Sequence, residues 1–343
     1  MNHTLKKHTL ILCLIFLWAA SLIGCEDSKK PPEPAKPEEQ KVSLQLQWVP
    51  QAQFAGYYVA LEKGWYRDEG IDLTIEPGGP DIIAIDLVTS GTRDFGTALL
   101  SDLAVAIQNG KPVVSIGQIQ QTNGLLLIAR KSSGIKEPSD FKGKRVGIWF
   151  QGFEAQFNAL LAKQKISDRD LKIISQGWSM EPFLKGDLDV ASAMIYNEYH
   201  TVLESGIKPE ALNIIDYGTY GLDFPGDTLF TSRKVAKEDP DLCLKMLRVS
   251  LKGWQYTIEH PEEAVDIVLK YDKSGIQKRD HQLVMMQEIA KLVQRTGKTL
   301  GKTDSEAVSR MVETLRQSGI FKEKISPELI YTNEFFIKIN QPK

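Results

Sequence analysis

Three of the six tryptophans, Trp48, Trp149 and Trp178, stand at or just after the end of an apolar run that reads as a β-strand. The Gly78-Gly79 turn, Gln120-Gln121, Gly152-Phe153, Tyr196-Asn197-Glu198 and Asp227 occupy similar positions. In open α/β sheets a ligand sits beyond the carboxyl ends of the strands, so these residues form a candidate binding surface. Indole and phenol rings suit a flat guest, and an aromatic pair adds ~0.5–1.5 kcal/mol beyond its buried area. An ionised carboxylate accepts hydrogen bonds and cannot donate them. Glu198 and Asp227, with glutamine amides beside them, therefore suit a ligand edge rich in N–H donors and suit nitrate or a sulfonate poorly. A hydrogen bond to a charged group contributes ~1.5–3 kcal/mol, enough to choose between ligand classes.

The expected ligand-binding set is Trp48, Gln53, Phe54, Tyr57, Gly79, Gln121, Trp149, Gly152, Tyr196, Asn197, Glu198 and Asp227. Trp48 and Tyr196, one from each half of the chain, would sandwich a ring as the halves close. Phe54 and Tyr57 lie three apart on a helix and would extend that wall, while Tyr58 and Val59 read as core. Each assignment competes with a packing explanation, since Glu198 also reads as an acid stabilised in the first turn of a helix. The helix starts near Gly152 and Ser101 offer backbone N–H groups to an anionic tail.

The elements that must hold these residues alternate. Val42 to Trp48 has period two and is a strand; Gln53 to Lys63 is helical and stops at Gly64. Strands follow at Ile71–Ile75, Phe95–Leu99 and Val113–Gln120, with helices at Asp81–Ser90 and Ser101–Asn109 between them. A second strand–helix series runs from Gly124 to Tyr217. After Asp227 there is one more strand, Thr228–Thr231, and then helices at Asp241–Glu259, Pro261–Tyr271, Arg279–Gln294 and Ser305–Gln317. This predicts an α/β protein of two lobes, each a mostly parallel sheet flanked by helices. Residues 42–124 and 228–343 would form lobe 1, and residues 125–227 lobe 2.

Composition narrows the function classes. With 343 residues, 42% hydrophobic and 25% charged, the chain is too apolar for disorder and long enough for two domains. Its formal net charge of -2 offers no concentrated basic face for nucleic acid. Five scattered histidines make a histidine metal cage unexpected, and neither metal nor cofactor is predicted. Gly297-Lys298-Thr299 and Gly301-Lys302-Thr303 look like phosphate-loop endings but lack the upstream glycine at Leu292 and Thr296. There is no G-x-S-x-G, C-x-x-C or H-E-x-x-H. His200 reads as a lone surface histidine, and the chain is expected to bind rather than catalyse.

The N-terminus reads as an address. Lys6 and Lys7 precede a short apolar run, Thr9 to Ala20, and small residues follow, which describes a secretory signal over residues 1–24. Leu22-Ile23-Gly24-Cys25 resembles a bacterial lipobox, which implies a lipid on Cys25. Cys13 would then be discarded and Cys243 left alone, so no intramolecular disulfide is expected. Residues 25–41 carry Pro31, Pro32, Pro34 and Pro37 without apolar period and read as a disordered tether. The expected location is outside the cell membrane, lipid-anchored and facing the periplasm or the exterior.

Several runs together resemble a known family. They are Leu46-Gln47-Trp48-Val49-Pro50-Gln51-Ala52-Gln53-Phe54-Ala55-Gly56-Tyr57-Tyr58, Gly64-Trp65-Tyr66, Gly70-Ile71-Asp72-Leu73, Pro77-Gly78-Gly79-Pro80, Leu87 to Gly96, and Lys136 to Gly147. Their order and spacing are similar to the thiamine-pyrimidine-precursor and riboflavin family of substrate-binding lipoproteins, which includes the fungal thiamine pyrimidine synthase. The resemblance implies a two-lobed periplasmic-binding-protein fold of type II. It implies a monomeric solute-binding component of an ABC importer, with a permease as partner and a thiamine pyrimidine precursor, riboflavin, nitrate or a sulfonate such as taurine as solute. The synthase branch implies a cysteine-rich iron motif, which a chain of three cysteines does not carry. Pyrimidine-binding members place an aspartate before the strand-end tryptophan; here that residue is Gln47, which keeps a flavin or another heterocycle open.

Overall fold

The computed structural model describes residues 39–150 and 153–341. The first sheet contains β1 (Gln40–Gln45), β2 (Ile71–Glu76), β3 (Phe95–Leu99), β4 (Val113–Gln118) and β10 (Asp227–Ser232), in the order β2-β1-β3-β10-β4. The second contains β5 (Leu125–Arg130), β6 (Arg145–Ile148), β7 (Lys172–Ser175), β8 (Val190–Met194) and β9 (Leu212–Asp216), in the order β7-β6-β8-β5-β9. Helices link the strands in both, so the two-lobed α/β architecture is as the alternation predicts.

Each sheet is mostly parallel, as expected, with one of its five strands reversed. In the first, β1 runs parallel to β2 and β3, but β10 is antiparallel to both β3 and β4. In the second, β6 runs parallel to β7 and β8, but β5 is antiparallel to both β8 and β9. The antiparallel strands are the two that enter each sheet from the other one. A strand arriving from across the molecule is not bound by the right-handed crossover that makes βαβ neighbours parallel.

The two passes between the sheets lie side by side and are bonded to each other. Asn123 N donates to Phe224 O at 2.8 Å, and Gly226 N to Gln120 O at 3.0 Å. Ile119 N and Gln120 N both donate to Asp227 O at 3.0 Å.

The long helix Pro240–Glu259 packs on β4 and on the helix Ala55–Glu62. Two glycines let the helices approach. A Cβ on Gly56 would strike the buried Trp254 ring at 2.4 Å, and one on Gly253 would strike Gly56 O at 2.0 Å. The four long C-terminal helices are present as predicted, to within a residue or so at their ends. Two short ones, Arg233–Glu238 and Glu334–Ile339, are too brief for periodicity to reveal. Ser232 caps the first of them, its hydroxyl accepting from Val235 N.

Some boundaries move. Gln40 and Lys41, expected in the tether, are already paired with Ile71 and Asp72 in β1, because backbone pairing does not wait for the first apolar side chain. Ser101 lies inside the helix Leu100–Gln108 rather than at its cap. The signal segment, Cys25 and the tether up to residue 38 lie outside the described residues. Among the described residues no helix is long and apolar enough to cross a membrane.

Candidate functional site

Sheet topology places the site. β1 and β3 end at the same edge of the first sheet, and the loop after β1 carries Trp48 there. Because β10 is antiparallel, its first residue rather than its last lies at that edge, and Asp227 sits opposite Leu99. From the second sheet, β6 runs on into Trp149, and β8 into Tyr196-Asn197-Glu198, where Glu198 opens the helix Glu198–Glu204.

The two edges close on a narrow chamber with about 20 Å³ of free space. Trp48, Gln51 and Gln53 line it from the first sheet's side; Trp149, Phe153, Met194, Tyr196, Asn197 and Glu198 line it from the second's. Three rings meet edge to face there. Trp48 lies 6.1 Å from Trp149 and 5.8 Å from Phe153, and Trp149 lies 6.2 Å from Phe153. The Trp149 indole is oriented by its Nε1–H, which donates to Gly177 O at 3.0 Å.

The two expected carboxylates have different surroundings. Asp227 is ringed by amide donors: Gln47 Nε2 at 2.8 Å on Oδ1, and Gln53 Nε2 at 2.6 Å and Gln120 Nε2 at 3.3 Å on Oδ2. Burial pushes its carboxyl up to about 6, and the Gln53 and Gln47 bonds limit the rise. Glu198 accepts Met194 N on Oε2 at 2.9 Å and Asn197 Nδ2 on Oε1 at 2.8 Å. Burial pushes it up to about 7, again against those bonds. Each Glu198 oxygen keeps a lone pair for a further donor. Burial, then the charges of Asp227 and Glu198, hold the Tyr196 phenol well above its ordinary value, so it enters the chamber wall neutral.

Next to the chamber is a wider cavity of about 270 Å³ that shares Trp48, Gln51 and Asn197 with it. Trp178, Met180 and Ile276 give it an apolar rim, and Thr201, Glu204, Lys278 and His281 give it polar groups. His281, on the helix Arg279–Val293, bonds Glu204 Oε1 through Nδ1 at 2.7 Å and Asn197 Oδ1 through Nε2 at 2.8 Å. Its neighbour Gln282 accepts Ala52 N at 2.6 Å, tying that helix to the segment after Trp48.

The structure therefore brings Trp48, Gln53, Trp149, Tyr196, Asn197 and Glu198 to one chamber. The rings that meet Trp48 are Trp149 and Phe153 rather than Tyr196. Asp227 stands behind the wall and touches it through Gln53. An acid thus lies beside Gln47 after all, supplied by β10 and gripped by the Gln47 amide.

Phe54 and Tyr57 are buried in the core, Tyr57 edge-on to Trp254 at 5.9 Å, because the helix Ala55–Glu62 is covered by the later helices. The glycine that approaches Trp48 is Gly78 rather than Gly79: a Cβ on Gly78 would lie 2.2 Å from Leu46 O, and its N–H donates to Trp48 O. Gln121 faces away and bonds Thr299 O at 3.2 Å. Gly152 lies outside the described residues. The helix start expected to hold an anionic tail is met by Asp102, whose Oδ1 accepts Ala155 N at 3.3 Å from the other lobe.

Sequence reasoning missed Gln51, Met194 and His281. Met194 shares strand parity with Tyr196, a signal that was present. His281 has no local signal, since its partners lie 77 and 84 residues away.

The fold is that of the periplasmic binding proteins. The ligand-binding component of an ABC-type import system from Staphylococcus aureus superimposes with a TM-score of 0.66 at 12% identity, covering 88% of this chain and 99% of that one. Residues 51–264 match the family described as NMT1/THI5 like, and the chain belongs to that family. It is similar to the riboflavin-binding protein RibY of Chloroflexus aurantiacus, 27% identical over 314 residues that cover 88% of this chain and 87% of that protein. It is also similar to the 4-amino-5-hydroxymethyl-2-methylpyrimidine phosphate synthase of Legionella pneumophila, 29% identical over 230 residues that cover 66% of this chain and 72% of that enzyme.

Proposed function

We propose that this chain is the solute-binding component of an ABC importer and that it captures a small nitrogen heterocycle, a pyrimidine precursor of thiamine, between its two lobes. The observation that carries this reading is the inner chamber: three aromatic rings, a neutral phenol and Glu198, with no Lys, Arg or His among its lining residues. Such a lining accepts from the N–H edge of a planar ring and stacks on its faces. The chain would hand its solute to a membrane permease, held near the membrane by a lipid on Cys25.

Riboflavin is the second reading. It is favoured by the breadth of the match to the riboflavin-binding relative and by the wider cavity, where hydroxyl groups of a side chain would meet Thr201, Glu204 and Lys278. We read the chain as a binder rather than a synthase, since the synthase branch implies a cysteine-rich motif and Cys243 is buried with its thiol pushed up to about 12.

Thermal-shift titration of the purified protein with 4-amino-5-hydroxymethyl-2-methylpyrimidine, riboflavin, nitrate and ethanesulfonate tests the reading. Stabilisation by one of the heterocycles is expected; stabilisation by the anions alone would overturn it.

A further inference from the structure

A chain of side-chain hydrogen bonds runs from the wider cavity to the inner chamber and crosses between the lobes. It links Glu204 Oε1 to His281 Nδ1 at 2.7 Å, His281 Nε2 to Asn197 Oδ1 at 2.8 Å, and Asn197 Nδ2 to Glu198 Oε1 at 2.8 Å. His281 belongs to the helix Arg279–Val293, which packs on the segment Ala52–Phe54 after Trp48 and on the helix Pro261–Tyr271. Its two partners, Asn197 and Glu204, precede and end the helix Glu198–Glu204 that follows β8 in the other sheet. Within Arg279–Val293, His281 faces one lobe while Gln282 holds the other through Ala52 N.

The chemistry of this chain fixes its protons. Asn197 Nδ2 donates to Glu198 Oε1, so the Asn197 carbonyl oxygen is what faces His281. His281 Nε2 therefore faces an acceptor and must carry a proton. Nδ1 faces the Glu204 carboxylate, also an acceptor, and must carry one too. We propose that His281 is a positioning residue and the clasp of the closed cleft: as an imidazolium it bridges Glu204 and Asn197, and through Asn197 it orients Glu198 toward the ligand. Each bond crosses from one lobe to the other, so the imidazolium is fully partnered only when the lobes are shut. The inference rests on the reading of the chamber as the ligand site.

Other charges face the same place. From the Glu198–Glu204 helix these are Glu204, His200 and Glu198; on the histidine's own helix they are Asp280, Glu288 and Lys291; Lys278 comes from the preceding loop. On the helix Pro261–Tyr271, Glu262 and Asp266 pair with Arg279. Glu204 is the one of these that His281 touches directly, and its charge is what the imidazolium matches.

The test uses the full chain with two probes, 4-amino-5-hydroxymethyl-2-methylpyrimidine and riboflavin. For whichever binds, His281→Gln should weaken binding about tenfold at constant pH. Glu204→Gln keeps an acceptor but not the charge, and should weaken binding less. Unchanged affinity in His281→Gln would overturn the proposal. Imidazole nitrogen NMR, with His281 assigned by its variant, reads the clasp without relying on affinity. Two protonated nitrogens in the closed form support it, and a single neutral tautomer overturns it. Failure of both probes to bind, with an imidazolium still observed, would instead sink the ligand reading alone.

Discussion

Asp227 and Glu198 are both buried acids at the same cleft, yet they are used in opposite ways. Asp227 is enclosed by three glutamine amides, all from the first sheet and its loops. Three of its acceptor sites are filled inside its own lobe, and what reaches the chamber is the Gln53 amide it holds. Glu198 has one donor on each oxygen, both from within three residues of the end of β8, and lines the chamber itself. One acid builds a wall; the other is left with room for a guest. A buried carboxyl near a cleft is therefore not by itself a ligand contact, and counting its donors separates the two cases.

The largest effect that would break this contrast is on folding. Asp227→Ala strands three buried amide donors, and should cost about 3 kcal/mol or more of unfolding free energy. Chemical denaturation measures it; a change as small as that of a surface substitution would mean the amides find other partners. Next in size, Glu198→Gln should cost about 10- to 100-fold in affinity for a heterocyclic ligand, with much less effect on stability, by calorimetric titration. If the two substitutions exchanged their signatures, the assignment of roles would be reversed.

Trp48→Ala and Tyr196→Ala should each weaken binding roughly tenfold through lost area and ring contact. Unchanged affinity in both would make those rings structural. A further effect is on stability rather than binding and concerns Asp102, whose carboxyl burial pushes up to about 8 against the bond from Ala155 N. A raised acid binds its proton more tightly folded than unfolded. Its contribution is therefore fully present below the ordinary carboxylate range and is lost as pH rises toward and through about 8. The melting temperature of Asp102→Asn should accordingly fall less than that of the wild type between about pH 5 and about pH 8.5.

Most of the fold was legible because strands and helices carry their own periods. Val42, Leu44 and Leu46 alternate, and the helices after Asp227 have clear caps and stops. The one reversed strand of each sheet was not legible, since nothing local in Asp227–Ser232 says that it arrives from the other side. The site was half legible. Strand ends gave Trp48, Trp149 and the Tyr196-Asn197-Glu198 triplet, all of which line the chamber. Helix periodicity could not tell whether Phe54 and Tyr57 face a cleft or the sheet, because the helices that cover them lie about 190 residues further along the chain. The Glu204–His281–Asn197 link depends wholly on tertiary proximity and had no trace in the sequence.

The paired passes between the sheets have a mechanical consequence. Because Asn123 and Gly226 stitch one pass to the other, neither can bend alone, and the lobes are restricted to swinging about a single two-ply seam. That seam ends at Asp227, whose carbonyl anchors Ile119 and Gln120. Points near an axis travel least, so the amide cage around Asp227 stays nearly still through a swing.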